Sequence, residues 1–195
     1  MNNQKNFIDN PLSRRWEIRY ENQPDFIKQR LDILRNQNVK DYQLKVIKRK
    51  RGYPEKGDVF LINPKDSLYF FGVVVNNNVS NINGNNLLVI MIFRDKAKSL
   101  EDNVFRADYT NLLIEPCIVG KEYWVKGLFY NVGNIELNEK IDYGFYSVGK
   151  GKYFDEYGKE MLHEPRLLGT YGVSTISGIA YKVNKELIID ENLLL

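Results

Sequence analysis

The chain contains very few side chains of the types that act as nucleophiles or general bases. It has one histidine, His163, and one cysteine, Cys117. A single histidine can serve as a general base, but no partner pattern surrounds His163, and nothing near Cys117 indicates a lowered thiol pKa. Ser147 lacks the glycine two residues earlier that a nucleophile elbow requires. One cysteine and one histidine do not make a Cys/His zinc cluster. We therefore expect no catalytic residue, no cofactor and no metal site.

Among the side chains that can carry out acid–base or nucleophilic chemistry, the carboxylates are the ones that cluster along the sequence. Residues 135–165 contain seven Asp/Glu against four Lys, an excess of three negative charges. Paired carboxylates serve glycosidases, and a solvated acidic hairpin is the simplest interpretation. The functional interpretation is an acidic surface that docks a basic partner, with aromatic side chains supplying contact area. The partner-binding residues predicted on this basis are Tyr143, Tyr146, Tyr153, Phe154, Asp155, Glu156, Tyr157 and Glu160. The alternative is that these aromatic residues only pack a peripheral hairpin.

Basic residues concentrate in the first third of the chain. Residues 1–60 carry 14 Lys/Arg and 8 Asp/Glu, whereas residues 61–195 carry 14 and 17, so the formal net charge is +3. The excess peaks at Lys48-Arg49-Lys50-Arg51. Such a cluster can contact phosphates. We favour a solvated strand edge, because cations on an edge discourage aggregation and no aromatic stacking pattern is interleaved with them.

Length and composition indicate one soluble globular unit. The chain has 195 residues, of which 43% are apolar and 27% charged, as in globular domains. Aromatic residues reach 13%, which favours strands. The opening residues lead into no apolar run, and the longest such run, 87–93, has the length of a buried strand rather than of a membrane span. We expect a cytoplasmic protein without an intrachain disulfide and without a membrane partner.

One helix and a series of strands are predicted to position the acidic segment. Pro24 and Asp25 suit a helix start, and Ile27, Leu31 and Leu34 recur at helical spacing, so we predict a helix over 25–36. Before it, residues 16–20 fit a short strand or an extended arm. The Asn-rich stretch 76–86 predicts a loop, and residues 63–66 a type I turn. The strand-like runs are 42–47, 57–62, 68–75, 87–93, 112–119, 123–130, 141–146, a hairpin over 152–161, and the last apolar stretches 173–183 and 187–189.

These elements predict an α+β fold rich in strands. The runs 57–62 and 68–75 are apolar on both faces, so we expect a central hairpin covered on each side. Gly72 within the second run indicates a bulge or a sharp bend, and Pro116 indicates a strand that is either at an edge or bulged. We therefore predict a strongly bent, SH3-like antiparallel sheet or small barrel with an N-terminal helix. An arm over 1–41 and a β-rich part over 42–195 would form a single compact unit.

Two strand patterns, in order along the chain, resemble the bacterial immunity protein 26 family. The first is the run 56–62 followed after a short turn by 69–74, and the second is the proline-containing strand 111–119 followed by the Trp–Gly–aromatic run 124–129. The stretch 168–173 is similar to a closing Gly–aromatic strand of that family. The resemblance covers residues 44–130 and, more weakly, 165–181.

The resemblance implies a cytoplasmic protein that binds and neutralises a polymorphic toxin encoded beside it, without catalysis. A nuclease is the expected toxin, although immunity proteins against nucleases are often acidic and this chain carries +3. Two alternatives remain open. The hairpin that begins at Gly57 is similar to the opening of MazF/PemK-like ribonuclease toxins, but Phe70-Phe71-Gly72 replaces their Arg–Pro pair. The other alternative is a small nucleic-acid-binding barrel that uses the cluster 48–51.

Overall fold

A computed structural model of the chain describes residues 10–49, 52–138 and 140–195, which form four α-helices, two short 3₁₀ helices (Val39–Asp41 and Glu191–Leu194) and nine strands. No helix of this described part is both long and apolar enough to cross a bilayer. The helices are α1 (Pro11–Glu21), α2 (Asp25–Asn36), α3 (Glu122–Val125) and α4 (Ile176–Ile189). The strands are β1 (Asp58–Lys65), β2 (Leu68–Asn81), β3 (Gly84–Ala97), β4 (Leu112–Val119), β5 (Phe129–Asn134), β6 (Tyr143–Ser147), β7 (Lys152–Phe154), β8 (Glu160–Met161) and β9 (Leu167–Thr170).

The larger sheet is antiparallel and has the order β4-β3-β2-β1-β5. Side chains alternate between its two faces, and both faces are buried. Phe60 and Ile90 lie in the core cluster on one face, together with Val183 of α4. Leu61 and Met91 lie in the cluster on the opposite face. The prediction of a central hairpin covered on each side is confirmed, and it explains why these strands are apolar at nearly every position.

The second sheet covers the face opposite α4. Its order is β8-β7-β6-β9, with β6 and β9 parallel and the other pairs antiparallel. Phe145 of β6 belongs to the same core cluster as Met91, which joins the two sheets. The larger sheet stays open, because within the described residues its outermost strands β4 and β5 do not pair with each other. The fold class is therefore α+β with two sheets, and the expected small barrel does not form.

The helix predicted over 25–36 is confirmed as α2. Its buried side chains Ile27, Leu31 and Leu34 follow the helical repeat, and the helix packs against α4. The extended arm or strand expected at 16–20 is wrong, because these residues belong to α1. The side chain of Asn10 accepts hydrogen bonds from the N–H groups of Leu12 and Ser13 and caps that helix.

The C-terminal apolar stretches form a helix rather than the strands that the sequence suggested. Residues 173–183 and 187–189 supply most of α4, whose buried Ile179, Val183 and Leu187 recur every four residues. Thr175 caps the helix by accepting a hydrogen bond from Gly178 N–H at 3.0 Å. The spacing of Ile176, Ile179, Val183 and Leu187 is the helical signal that the strand prediction overlooked.

The Asn-rich loop expected over 76–86 is also wrong. Strands β2 and β3 continue through it, and only Ile82 and Asn83 form the turn. The register shifts repeatedly in this stretch, while Val79 and Leu87 remain buried in the core. Core anchoring of the two apolar residues thus overrides the turn preference of the asparagines.

Three further expectations differ in part. The run 123–130 divides into α3 and β5, because Tyr123 and Trp124 are both buried and Gly127 has a positive φ of 77°. The turn predicted at 63–66 lies two residues later, at Asp66 and Ser67. The run 42–47 forms no strand, although the N–H groups of Lys45 and Ile47 donate to backbone carbonyls elsewhere in the chain. By contrast, the bulge at Gly72, the edge position of Pro116 in β4 and the hairpin over 152–161 are confirmed.

Candidate partner-binding surface

The eight residues predicted to bind a partner lie in the second sheet and in the turn between β7 and β8. Tyr146 and Phe154 are buried, so they shape the hairpin from inside. Tyr143 and Tyr153 are half-buried. The exposed members are Tyr157, at 54% relative exposure, and Glu160. The structure therefore brings the eight residues into one region but presents only part of them outward.

Glu156 fastens this hairpin to the tip of the long β2–β3 hairpin. Its Oε1 accepts hydrogen bonds from the Tyr143 hydroxyl at 2.6 Å and from Asn76 Nδ2 at 2.9 Å. Asn76 Nδ2 also donates to the Tyr157 hydroxyl at 2.7 Å, and Asn81 Nδ2 donates to the Glu156 carbonyl at 2.8 Å. Burial, together with the Glu156 carboxylate, raises the pKa of Tyr143, so this phenol stays a donor. The Glu156 carboxylate is therefore already bound within the protein, where its contacts are structural.

Asp155 shapes the turn between β7 and β8. Its Oδ1 accepts hydrogen bonds from the N–H groups of Tyr157 at 3.0 Å and Lys159 at 2.8 Å. Gly158 completes the turn with a φ of 88°, a conformation that favours glycine. Both hydrogen bonds are local to the turn, so one oxygen of the Asp155 carboxylate is already used by backbone N–H groups.

The outward acidic side chains are Glu160 and Glu164. Glu160 forms an exposed ion pair with Lys152 at 2.7 Å. Glu164 accepts a hydrogen bond from the Tyr153 hydroxyl at 2.8 Å and contacts Arg15 of α1. Exposed ion pairs are worth 1 kcal/mol or less, so these carboxylates can exchange their present partners for those of another protein at little cost. Leu162, between them in sequence, is almost fully exposed.

The potential catalytic residues occupy unrelated environments. Cys117 is buried in β4, where burial raises the pKa of its thiol. His163 is exposed, and its Nε2 lies 3.3 Å from Asp142 Oδ1. The described part of the chain has no group of three or more His, Cys, Asp or Glu side chains placed to hold a metal ion.

Sequence reasoning missed the asparagines that organise the site. Asn76 and Asn81 were assigned to a loop, whereas their amides bind Glu156 from the neighbouring hairpin. The only signal in the sequence was the density of asparagines, which indicates local hydrogen bonding. Of the basic cluster at 48–51, Lys48 and Arg49 are exposed, and residues 50 and 51 lie outside the described part.

Comparison with known proteins identifies the family. The model of the family described as Immunity protein 26 matches residues 55–155, which include the central hairpin of the larger sheet, β4, and the second sheet as far as Asp155. The chain therefore belongs to the immunity protein 26 family. No curated protein and no solved structure matches the chain.

Proposed function

We propose that this chain is a cytoplasmic immunity protein that neutralises a cognate toxin of a polymorphic toxin system by binding and covering it, without enzymatic turnover. The family match over residues 55–155 carries the proposal. A nuclease is the toxin class that the acidic hairpin suits best, since nucleases present basic surfaces to their substrates. The protective effect would then depend on occlusion, which requires an interface of roughly 1,200–2,000 Å².

The acidic hairpin is our proposed contact surface. Tyr157 supplies an exposed ring that Asn76 and the hairpin turn hold in place, and Glu160 and Glu164 supply carboxylates on the exposed side of the hairpin. A preorganised aromatic side chain loses little conformational entropy on binding, and the carboxylates increase the association rate with a basic surface. Tyr143, Tyr146, Tyr153, Phe154, Asp155 and Glu156 would support this surface or contribute at its edge.

The direct test is binding and protection with the toxin domain encoded beside this gene. The full chain should form a stoichiometric complex with that domain and protect cells that express it. Complete absence of binding and protection would refute the proposed function. An RNA-cleavage assay on the chain alone addresses the ribonuclease alternative, for which we expect no activity.

The hairpin is best tested through Glu160. Substituting Asp155 or Glu156 would remove hydrogen bonds that hold the turn and the hairpin in place. An effect on binding could then not be separated from an effect on folding. Glu160→Lys changes only an exposed ion pair, and it should slow association, with a larger effect at low salt because charges are less screened. Glu136→Lys, an equal charge change at an exposed position outside the hairpin, is the matched control. Equal association rates for the two variants would exclude this hairpin.

A non-enzymatic mechanism makes a second prediction. His163→Ala and Cys117→Ala should leave protection intact, since neither side chain has a role in occlusion. Thermal unfolding of each variant would show whether the fold is maintained. Loss of protection by a variant that is still folded would reveal a catalytic step.

A further inference from the structure

A broad, shallow groove of about 800 Å³ lies on the part of the surface formed by segment 39–49, α3 and the start of α4. We call it the valine groove, because Val39 and Val46 line it from segment 39–49. Leu128 and Ile176 contribute further apolar surface, and Arg49 and Lys126 contribute cations. None of the residues of the predicted hairpin interface lines it.

One wall of the valine groove is held firmly by the core. The N–H of Lys45 donates to the Asn63 carbonyl and the N–H of Ile47 donates to the Gly127 carbonyl, each at 2.7 Å. Leu44, just before, is buried in the core cluster. Val46 lies between the two bonded residues and remains 59% exposed. This side chain is therefore presented to solvent by a fixed backbone, which lowers the entropic cost of binding a partner.

Gly127 allows this wall to pass close to α3. A Cβ at position 127 would lie 2.8 Å from the backbone nitrogen of Arg49, and Gly127 has a φ of 77°. Both facts require glycine here. The close approach places the Arg49 and Lys126 side chains on the same groove.

The exposed surface of the valine groove combines apolar side chains with two cations. Val39 is 41% exposed in addition to Val46, so the groove presents two apolar side chains to solvent. In the described part of the chain, neither Arg49 nor Lys126 has a carboxylate within 4.0 Å. Glu122 is the one acidic side chain among the residues that line the groove. A complementary occupant is apolar and carries carboxylates.

We infer that the valine groove docks an apolar, acidic segment of the toxin, as a contact additional to the hairpin. This inference rests on the proposed function for the identity of the partner. A nucleic acid fits the groove less well, because no aromatic side chain lines it to stack on bases, and a phosphate backbone would leave the exposed valines without apolar contacts. A protein segment can contact the valines through apolar side chains and the cations through carboxylates.

The inference is tested by calorimetric titration of the full chain with the toxin domain encoded beside its gene. Val46→Asp and Lys126→Glu should each weaken binding tenfold or more, the first by placing a carboxylate against apolar contacts and the second by reversing an attraction. The binding of Lys126→Glu should also depend less on salt than that of the unmodified chain. Val104→Asp, at a position 86% exposed and outside the groove, and Lys98→Glu are the matched controls.

The outcomes separate this inference from the proposed function. If the unmodified chain binds and both groove variants bind equally well, the groove is not an interface and the proposed function stands. If the unmodified chain does not bind the toxin domain, the proposed function fails and the inference with it. If the chain instead shifts single-stranded RNA or duplex DNA in a gel and Lys126→Glu abolishes that shift, the occupant is a nucleic acid and the inference is wrong. Restored binding between Lys126→Glu and a toxin variant with one surface carboxylate changed to Lys would confirm it.

Discussion

Gly72 sits directly opposite Phe60 in the β1–β2 ladder, and we predict that Gly72→Ala destabilises the protein through that ring. An added Cβ would lie closest to Phe60 Cζ, and it would also lie 2.5 Å from Cε2 and 3.0 Å from Cε1. Ordinary contacts begin at 3.4 Å, so the ring would have to move by at least 0.9 Å, the difference between 3.4 and 2.5 Å. The ring has little freedom to do so, because it stacks on Phe129 at 4.5 Å and meets Trp124 edge-on at 5.3 Å between centroids.

Two opposing contributions set the size of the effect. Overpacking of a close-packed core costs about 1–3 kcal/mol. Replacing a glycine inside a strand by alanine gains about 0.5–1 kcal/mol, because the unfolded chain loses freedom. We therefore expect a net loss of about 1–2 kcal/mol in the free energy of unfolding. For a chain of this size, that loss corresponds to a decrease in Tm of about 4 °C.

Urea unfolding in a double-mutant cycle gives the decisive measurement. In a Phe60→Leu background the ring is absent, so adding Gly72→Ala should be neutral or stabilising, with a coupling free energy of about 1 kcal/mol or more. Gly149→Ala is the matched control, because a Cβ there would meet nothing within 4 Å. A Gly72→Ala protein as stable as the unmodified one, or strict additivity with Phe60→Leu, would refute the packing described here.

Three further predictions concern polar contacts. Glu186→Gln should cost roughly 3 kcal/mol in urea unfolding and expose α1 to limited proteolysis, because two arginines would lose a buried carboxylate partner. Burial would raise the pKa of Glu115, but the Lys182 ammonium 2.7 Å away brings it below its ordinary value. Its contribution to stability is therefore complete above the ordinary carboxyl pKa and is lost as pH falls through the lower folded value, so Glu115→Gln should make unfolding between about pH 5 and pH 3 less pH-dependent. Tyr143→Phe should lower the free energy of unfolding by about 2 kcal/mol, because it removes a hydrogen bond to the Glu156 carboxylate, and equal stability would contradict that contact.

The centre of the fold is predictable from sequence because its signals are local and agree with one another. Continuous apolar runs on both sides of a short polar turn predict a buried hairpin, and β1 and β2 form one. The spacing of Ile27, Leu31 and Leu34 predicts α2 for the same reason. In each case the local preference and the tertiary environment favour the same structure.

The elements that sequence reasoning assigned wrongly depend on distant partners. Arg19 of α1 binds both oxygens of Glu186 at 2.6 Å, and Lys185 lies 3.6 Å from the centroid of the Trp16 ring. These contacts join residues more than 160 positions apart, and no local pattern near residue 16 predicts them. α1 has a weak apolar face of its own, since Pro11 is its one buried residue, so tertiary contacts rather than periodicity stabilise it as a helix.

Contacts with distant residues also limit what the sequence predicts about the candidate site. Composition predicts an acidic, aromatic hairpin, but it does not show which carboxylates are already bound within the molecule. Asn76 and Asn81, 75 to 80 residues earlier in the chain, bind Glu156 and leave Glu160 and Glu164 as the carboxylates available to a partner. Conversely, the valine groove depends on Gly127 bringing segment 39–49 against α3, a close approach that only the folded backbone reveals. The surface open to a partner is thus set by the side chains that stay exposed and have only exposed, exchangeable partners in the fold, and that set differs from the charged residues of the sequence.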